Sequence, residues 1–363
     1  MAHKRNINIR ASNYHIIEKP PPKGDGLTMV VRGMSSLILT HLGDSVPPYM
    51  KDCVHQVRLW NPDLPIYIVL WPCHKGVQFW NDLESQYTVN LVYTNTLKQT
   101  PHHAYFLSNF SGDMDFRKGY WRHVKERFFF VEELMIDKSL DHCISMEYDV
   151  LVYMSLSKLC VRLRESNQVL RMVRDNNERG HPAFLYVPTA KHIHEFNIFL
   201  LSILHGPLED MQSLAAYADS NPEKVKYFPV ISEQRNRSIP NRVSKTGHQT
   251  STPGYLSDDS EHFQSLFDSL VVGQWIGGID SRNVGGQKIS QYENESALYS
   301  IKEMTFQWKK SPENFLWMPV LDGRPLCTIH MHSKALTSFL SDRSDCPCDD
   351  YDVSEVNRGL LSN

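Results

Sequence analysis

Glu147-Tyr148-Asp149 is the stretch of this sequence best suited to do chemistry. The apolar run Cys143-Ile144-Ser145-Met146 leads into it and reads as a strand that continues through Val150-Leu151-Val152-Tyr153. Alternation along a strand puts Glu147 and Asp149 on one face and Tyr148 on the other. Two adjacent carboxylates repel unless a cation lies between them, and a hard divalent ion with oxygen ligands meets that need. A solvated strand end is the plainer alternative.

A second set lies near the C-terminus, in His330-Met331-His332-Ser333-Lys334. On a strand both histidines share a face, as a pair able to share a metal. His332, nearer the strand end, is the expected ligand, with His330 beside it as ligand or support. Lys334 is expected to begin a short helix and to neutralise a phosphate. Packed, hydrogen-bonded histidines are the alternative. Cys346-Pro347-Cys348 is too tightly spaced for a usual zinc pair and reads as surface tail.

Between the two sets runs Gly273-Gln274-Trp275-Ile276-Gly277-Gly278-Ile279-Asp280, preceded by Phe267-Asp268. Glycines let a backbone approach a ligand closely. Their spacing matches neither a Walker loop nor a dinucleotide fingerprint. Asp268 and Asp280 are candidates for holding hydroxyls or acting as a base, against the alternative of an ordinary glycine turn. Arg127 sits on the edge of an apolar stripe, where a charge needs a partner. Arg122 and Lys125, beside it, read as a solvated face.

These residues need elements to position them. Trp121, Val124, Phe128, Val131 and Met135 recur at spacings of 3 and 4, which predicts a helix over 120–137. Upstream, strands are expected over 37–42, 66–70 and 90–93, with helices from Pro47-Pro48 to about Trp60 and over 77–86. That alternation implies βαβ units and a largely parallel sheet. Residues 100–119 read as a loop. Strands are expected over 183–187 and 225–230, the latter limited to an edge by Pro229, and helices over 190–204 and 208–219. Residues 232–262 are polar and read as a mobile insertion of lid type. A strand over 326–331 and an acidic tail close the chain. The expected organisation is a flexible arm over 1–30, one large α/β domain over 31–340 and a tail over 341–363.

The 38 Lys and Arg against 41 Asp and Glu argue against a dedicated nucleic-acid binder, which shows a strong basic excess. Seven scattered cysteines imply no disulfide framework. The polar, basic first 26 residues have no apolar run, and no stretch approaches ~18 consecutive apolar residues. The expectation is a cytoplasmic protein with no signal peptide and no transmembrane anchor.

Taken in order, these features resemble a GT-A-type glycosyltransferase, the nucleotide-diphospho-sugar transferase fold: a Rossmann-type, mostly parallel sheet flanked by helices. Glu147-Tyr148-Asp149 followed by Val150-Leu151 resembles that superfamily's Asp-x-Asp motif, which holds a divalent metal on the donor diphosphate. Residues 121–129, 147–153, 267–283 and 330–334 further resemble a glycosyltransferase-like family that brings no particular donor or acceptor with it. One departure is Glu147, which stands where the superfamily has Asp. The resemblance implies transfer of a sugar from a nucleotide-diphospho-sugar to a hydroxyl of a glycan, protein, lipid or small molecule. It implies Mn2+ or Mg2+ held by Glu147, Asp149, His332 and His330, and donor contacts from Arg127, Tyr148, Gly277, Gly278 and Lys334. An inverting enzyme needs a base, for which Asp280, Asp268 and Asp210 are the candidates. The rival readings are a catalytically inactive sugar-nucleotide-fold protein that binds or scaffolds, and a metal-dependent hydrolase.

Overall fold

The expected strand–helix alternation takes form in the computed structural model, which describes residues 35–166, 168–206, 208–239, 253–283 and 291–347. It opens with β1 (Ser36–His41), α1 (Met50–Trp60), β2 (Ile66–Leu70), α2 (Gln78–Tyr87) and β3 (Asn90–Tyr93). Next come α3 (Pro101–Asn109), α4 (Tyr120–Asp137), β4 (Cys143–Met146), β5 (Val150–Val152), α5 (Leu156–Glu165), β6 (Leu170–Asn176) and β7 (Arg179–Val187). Then follow α6 (Ala190–Ser202), α7 (Asp210–Ser220), β8 (Val225–Tyr227), α8 (Glu233–Ser238), α9 (Ser260–Phe263) and α10 (Val271–Gly277). The last elements are β9 (Phe306–Lys310), β10 (Trp317–Leu321), β11 (Arg324–Pro325) and β12 (Thr328–His330).

Seven strands form the central sheet in the order β3-β2-β1-β4-β7-β6-β8. The β1–β2, β2–β3, β1–β4 and β6–β8 pairs are parallel; β7 runs antiparallel to both β4 and β6. Alternation feeds two cores. Leu37 and Leu39 of β1 and Ile144 and Met146 of β4 pack on one face, with α1, α2, α5 and α10. Ile38 of β1 and Cys143 of β4 pack on the other, with Phe106 of α3, Phe128 and Val131 of α4, and α6 and α7. The result is a mixed α/β architecture of three layers, with helices on both faces of a mostly parallel sheet.

The winding decides where a site can lie. From β1 the chain moves outward to β3, then returns and sets β4 on the other side of β1. The direction of winding reverses there, and in open sheets of this kind ligands bind in the crevice outside the carboxyl ends of the strands at such a point. β1 ends at His41 and β4 at Met146, so Glu147-Tyr148-Asp149 opens directly onto that crevice.

Several expectations need correction. Residues 100–119 contain α3, started by Pro101 in its first turn and driven by burial of His103 and Phe106. The strand after Met146 does not run on: the chain turns at Glu147–Asp149, and β5 leaves the main sheet to pair with β12. Residues 333–336 are not helical; a single 3-10 turn, Thr337–Phe339, follows. The first part of the glycine-rich stretch, expected as a loop, forms helix α10. Lys125 is buried, its ammonium 6.0 Å from the centre of the Phe110 ring. The described parts of the polar 232–262 stretch are built into the core, with Ile239 and Leu256 buried; 240–252 lie outside the described residues. Ser341, expected to begin the tail, is fully buried, and its backbone N–H donates to Gln56 Oε1 at 2.9 Å. The arm over 1–30 and the tail from 348 onward lie outside the described residues. Among the described residues, no helix is long and apolar enough to cross a membrane.

Candidate functional site

Strand β12 completes the crevice. It runs antiparallel to β5 with His330 opposite Val150, and Met331 N–H donates to the Asp149 carbonyl at 2.7 Å. That register brings the His330 imidazole onto the two carboxylates. Its Nε2 lies 3.3 Å from Asp149 Oδ2 and 3.4 Å from Glu147 Oε2. One ligand atom from each of Glu147, Asp149 and His330 lies within 4.8 Å of the others.

Permanent cations surround this trio. Lys334 takes up left-handed backbone at φ 67°, a conformation seldom adopted by side chains other than glycine, and its ammonium pairs with Asp149. Arg127 reaches in from α4 and bridges Glu147 to Asp210 at the start of α7. Burial pushes the Glu147 carboxyl up, but the Arg127 guanidinium outweighs this and holds it below the usual range. Burial likewise opposes ionisation of Asp149, and Lys334 with His330 overcome it, leaving that carboxyl well below its ordinary value. Burial lowers the His330 imidazole, and the Asp149 and Glu147 carboxylates reverse the sign, so it is raised. With Arg127 and Lys334 the trio forms one closely packed polar network.

His332 makes a different contact. Its Nδ1 accepts the Asp280 backbone N–H at 2.9 Å, and burial pulls its basicity down to about 4. A neutral ring with Nδ1 so occupied carries its proton on Nε2, which leaves no lone pair for an ion. His330 thus joins the carboxylates, and His332 ties β12 to the segment after α10. Nothing in the order of residues distinguishes them; the β5–β12 register does.

Asp268, expected as a base, is used up on backbone. Its carboxylate accepts N–H bonds from Val272 and Gly273 at 2.9 Å each and from His330 at 3.0 Å. It ties the start of α10 to β12 and so positions His330. Gly273 permits that contact: a Cβ there would lie 1.9 Å from the His330 carbonyl oxygen. Gly277 serves packing as well, since a Cβ would meet the Met331 side chain at 2.4 Å. Gly278 ends α10 at φ 77° and ψ −169°, a combination only glycine holds without strain.

Asp280 binds Arg282 through that residue's backbone N–H at 2.9 Å and its guanidinium. Burial would raise its carboxyl, but these bonds hold it at about 2. Asp210 moves the other way: burial raises it, and Arg127 offsets only part of that. Tyr148 lies in the turn between the two carboxylates. Its hydroxyl is 3.0 Å from His41 Nδ1, and its ring lies 5.6 Å from that of Tyr49. Sequence reasoning missed His41 and Tyr49, which lie at and just after the end of β1; the rule placing ligands at strand ends would have pointed to them.

No protein-family model matches the sequence, and no curated protein matches it. Solved structures similar to part of the chain include mouse xyloside xylosyltransferase 1 in its apo form, at 11% identity over 57% of this chain and 90% of that one, TM-score 0.39. The galactosyltransferase LgtC with donor and acceptor sugar analogs matches at 11% identity over 53% of this chain and 73% of that one, TM-score 0.37. The PaToxG glycosyltransferase matches at 12% identity over 52% and 70%, TM-score 0.37.

Proposed function

We propose that this chain is a metal-dependent glycosyltransferase that moves a sugar from a nucleotide-diphospho-sugar to a hydroxyl acceptor. The observation that carries the reading is the convergence of Glu147, Asp149 and His330 where the winding reverses between β1 and β4. Two carboxylates and one imidazole suit an ion of the manganese class, with magnesium as the harder alternative. When bound, such an ion neutralises charge on the leaving diphosphate.

The chain's own residues account for the remaining roles. Arg127 fixes Glu147 by pairing it with Asp210. Lys334, now paired with Asp149, would meet a donor phosphate once Asp149 turns to an ion. Tyr148 and Tyr49 offer an aromatic wall beside the carboxylates, and Gly278 lets the chain turn at the end of α10. Of the three base candidates, Asp210 fits best. Burial raises the basicity of its carboxylate, whereas Asp280, held at about 2, is a weak base. A retaining transfer needs no such base.

A second reading has specific support. Lys334 and Arg127 already balance both carboxylates, an arrangement suited to a sugar-nucleotide-fold protein that binds or scaffolds without catalysis. A thermal-shift screen of nucleotide-sugars with and without manganese separates the two. The glycosyltransferase reading requires a donor that raises Tm only with manganese, because a ligand held at 100 times its Kd adds about 2.7 kcal/mol. A shift independent of manganese favours the scaffold, and no shift with any donor rejects the site as a donor site.

A further inference from the structure

We propose that His102, Glu132 and His194 form a second, separate cation site, for a transition-metal ion of the zinc class. The three residues come from α3, α4 and α6 and share no member with the crevice at β1 and β4. Ligand atoms of all three lie within 4.8 Å of one another. His102 Nε2 is 2.7 Å from Glu132 Oε2, and His194 Nδ1 is 2.9 Å from Glu132 Oε1. Each carboxylate oxygen thus faces a different imidazole nitrogen, and the two rings meet edge to face at 4.7 Å.

Charge balance makes the case. The Glu132 side chain is 2% exposed, and burying a carboxylate is costly without a cation. Among the described residues its partners are the two imidazoles and the Asn197 side-chain amide, at 2.7 Å. No lysine or arginine is among them. An imidazole is a cation only when protonated, so a neutral pair gives each carboxylate oxygen one N–H bond and leaves the buried anion without a balancing charge. With the proton on the other ring nitrogen, each imidazole turns a lone pair to a divalent ion, which supplies that charge. Neighbouring carboxylates on α4 have other partners: Glu126 has His103, His123 and Arg122, and Glu133 has His103 and Thr100.

The donor set selects the ion. Two imidazoles and one carboxylate suit zinc, which binds such trios with a fourth position left for water, while magnesium and calcium prefer all-oxygen sites. The surroundings fit as well. Asn197, fully buried and anchored to the Phe128 carbonyl at 3.1 Å, fixes the Glu132 carboxylate as outer-shell partners of metal ligands do. His194, 44% exposed, gives the site a route to solvent. Thr100 Oγ1 lies 3.2 Å from His102 Nε2 and gives way on binding. The bound ion would clamp α3 to α4 and α6.

The test uses the full chain carrying Asp149→Asn, so that the crevice no longer competes for the ion. Zinc binding is followed by calorimetry, and cobalt binding by its visible absorption. The expected result is one equivalent of zinc, a tetrahedral cobalt spectrum and a raised Tm. Adding His194→Ala, at a half-exposed position that leaves the core intact, should weaken binding at least tenfold and abolish the spectrum. Glu132→Gln, which preserves shape, should do the same while keeping the metal-free Tm near that of its parent. No binding by the Asp149→Asn chain, or unchanged stoichiometry and spectrum after His194→Ala or Glu132→Gln, would overturn the site.

Discussion

His330 reaches Asp149 because β12 runs antiparallel to β5 in a register that sets His330 opposite Val150. Residues far apart in sequence thereby share one network, with Nε2 at 3.3 Å from the carboxylate. Asp268 and Gly273 hold that register, the first by three backbone bonds and the second by having no side chain.

Gly273→Ala should therefore damage the site from outside it. The added Cβ would lie 1.9 Å from the His330 carbonyl oxygen, which is backbone and cannot rotate away. Overpacking of this kind costs about 1–3 kcal/mol or more. Urea denaturation should show that loss, together with weaker manganese binding. A variant of unchanged stability would mean that α10 and β12 do not pack this closely.

Arg127→Leu should leave Glu147 and Asp210 facing each other in a buried setting with no cation between them. Breaking a buried pair from one side costs about 3–5 kcal/mol. Arg127→Lys should recover part of this, since one ammonium cannot bridge both carboxylates as a guanidinium fork does. A loss below about 1 kcal/mol, the range of a surface pair, would show that Arg127 does not hold Glu147.

Lys334→Met tests whether the ammonium on Asp149 competes with an ion. Removing the competitor should tighten manganese binding in calorimetry, on the order of tenfold, or about 1.4 kcal/mol. Unchanged or weaker binding would place the ion away from Asp149.

A pH effect should arise at α3. Burial pushes the His103 imidazole down, but Glu126 and Glu133 more than reverse this and raise it from 6.5 to about 9. The native state therefore binds that proton more tightly than the unfolded chain. The stabilisation is complete below about pH 6.5 and is lost as pH rises to about 9, on the order of 3 kcal/mol. Unfolding free energies measured across that window should fall in the parent chain and fall less in His103→Gln. Equal slopes would remove His103 as the cause.

The elements legible in the sequence were those whose pattern is local. The spacing of Phe128, Val131 and Met135 gave α4, and short apolar runs gave β1 to β3 and β4. What escaped is stabilised from a distance. Strand β6 looks too charged to be buried, yet Arg174 is paired with Asp219, and Asp175 with Arg179 and His181. Helix α3 has little amphipathic signal; His102 and His103 are held by glutamates on α4. The acidic pair was legible at the strand end, but the choice of His330 over His332 depends on a register that only the folded chain sets.

The most direct measurement is manganese-dependent hydrolysis of nucleotide-sugar donors by the purified chain, with and without Asp149→Asn, across a panel of donors. At least one donor should be turned over only with manganese, and Asp149→Asn, which keeps shape and removes charge, should abolish this while the protein stays folded. Turnover by Asp149→Asn equal to that of the parent chain, or no manganese-dependent turnover of any donor, would contradict the glycosyltransferase reading.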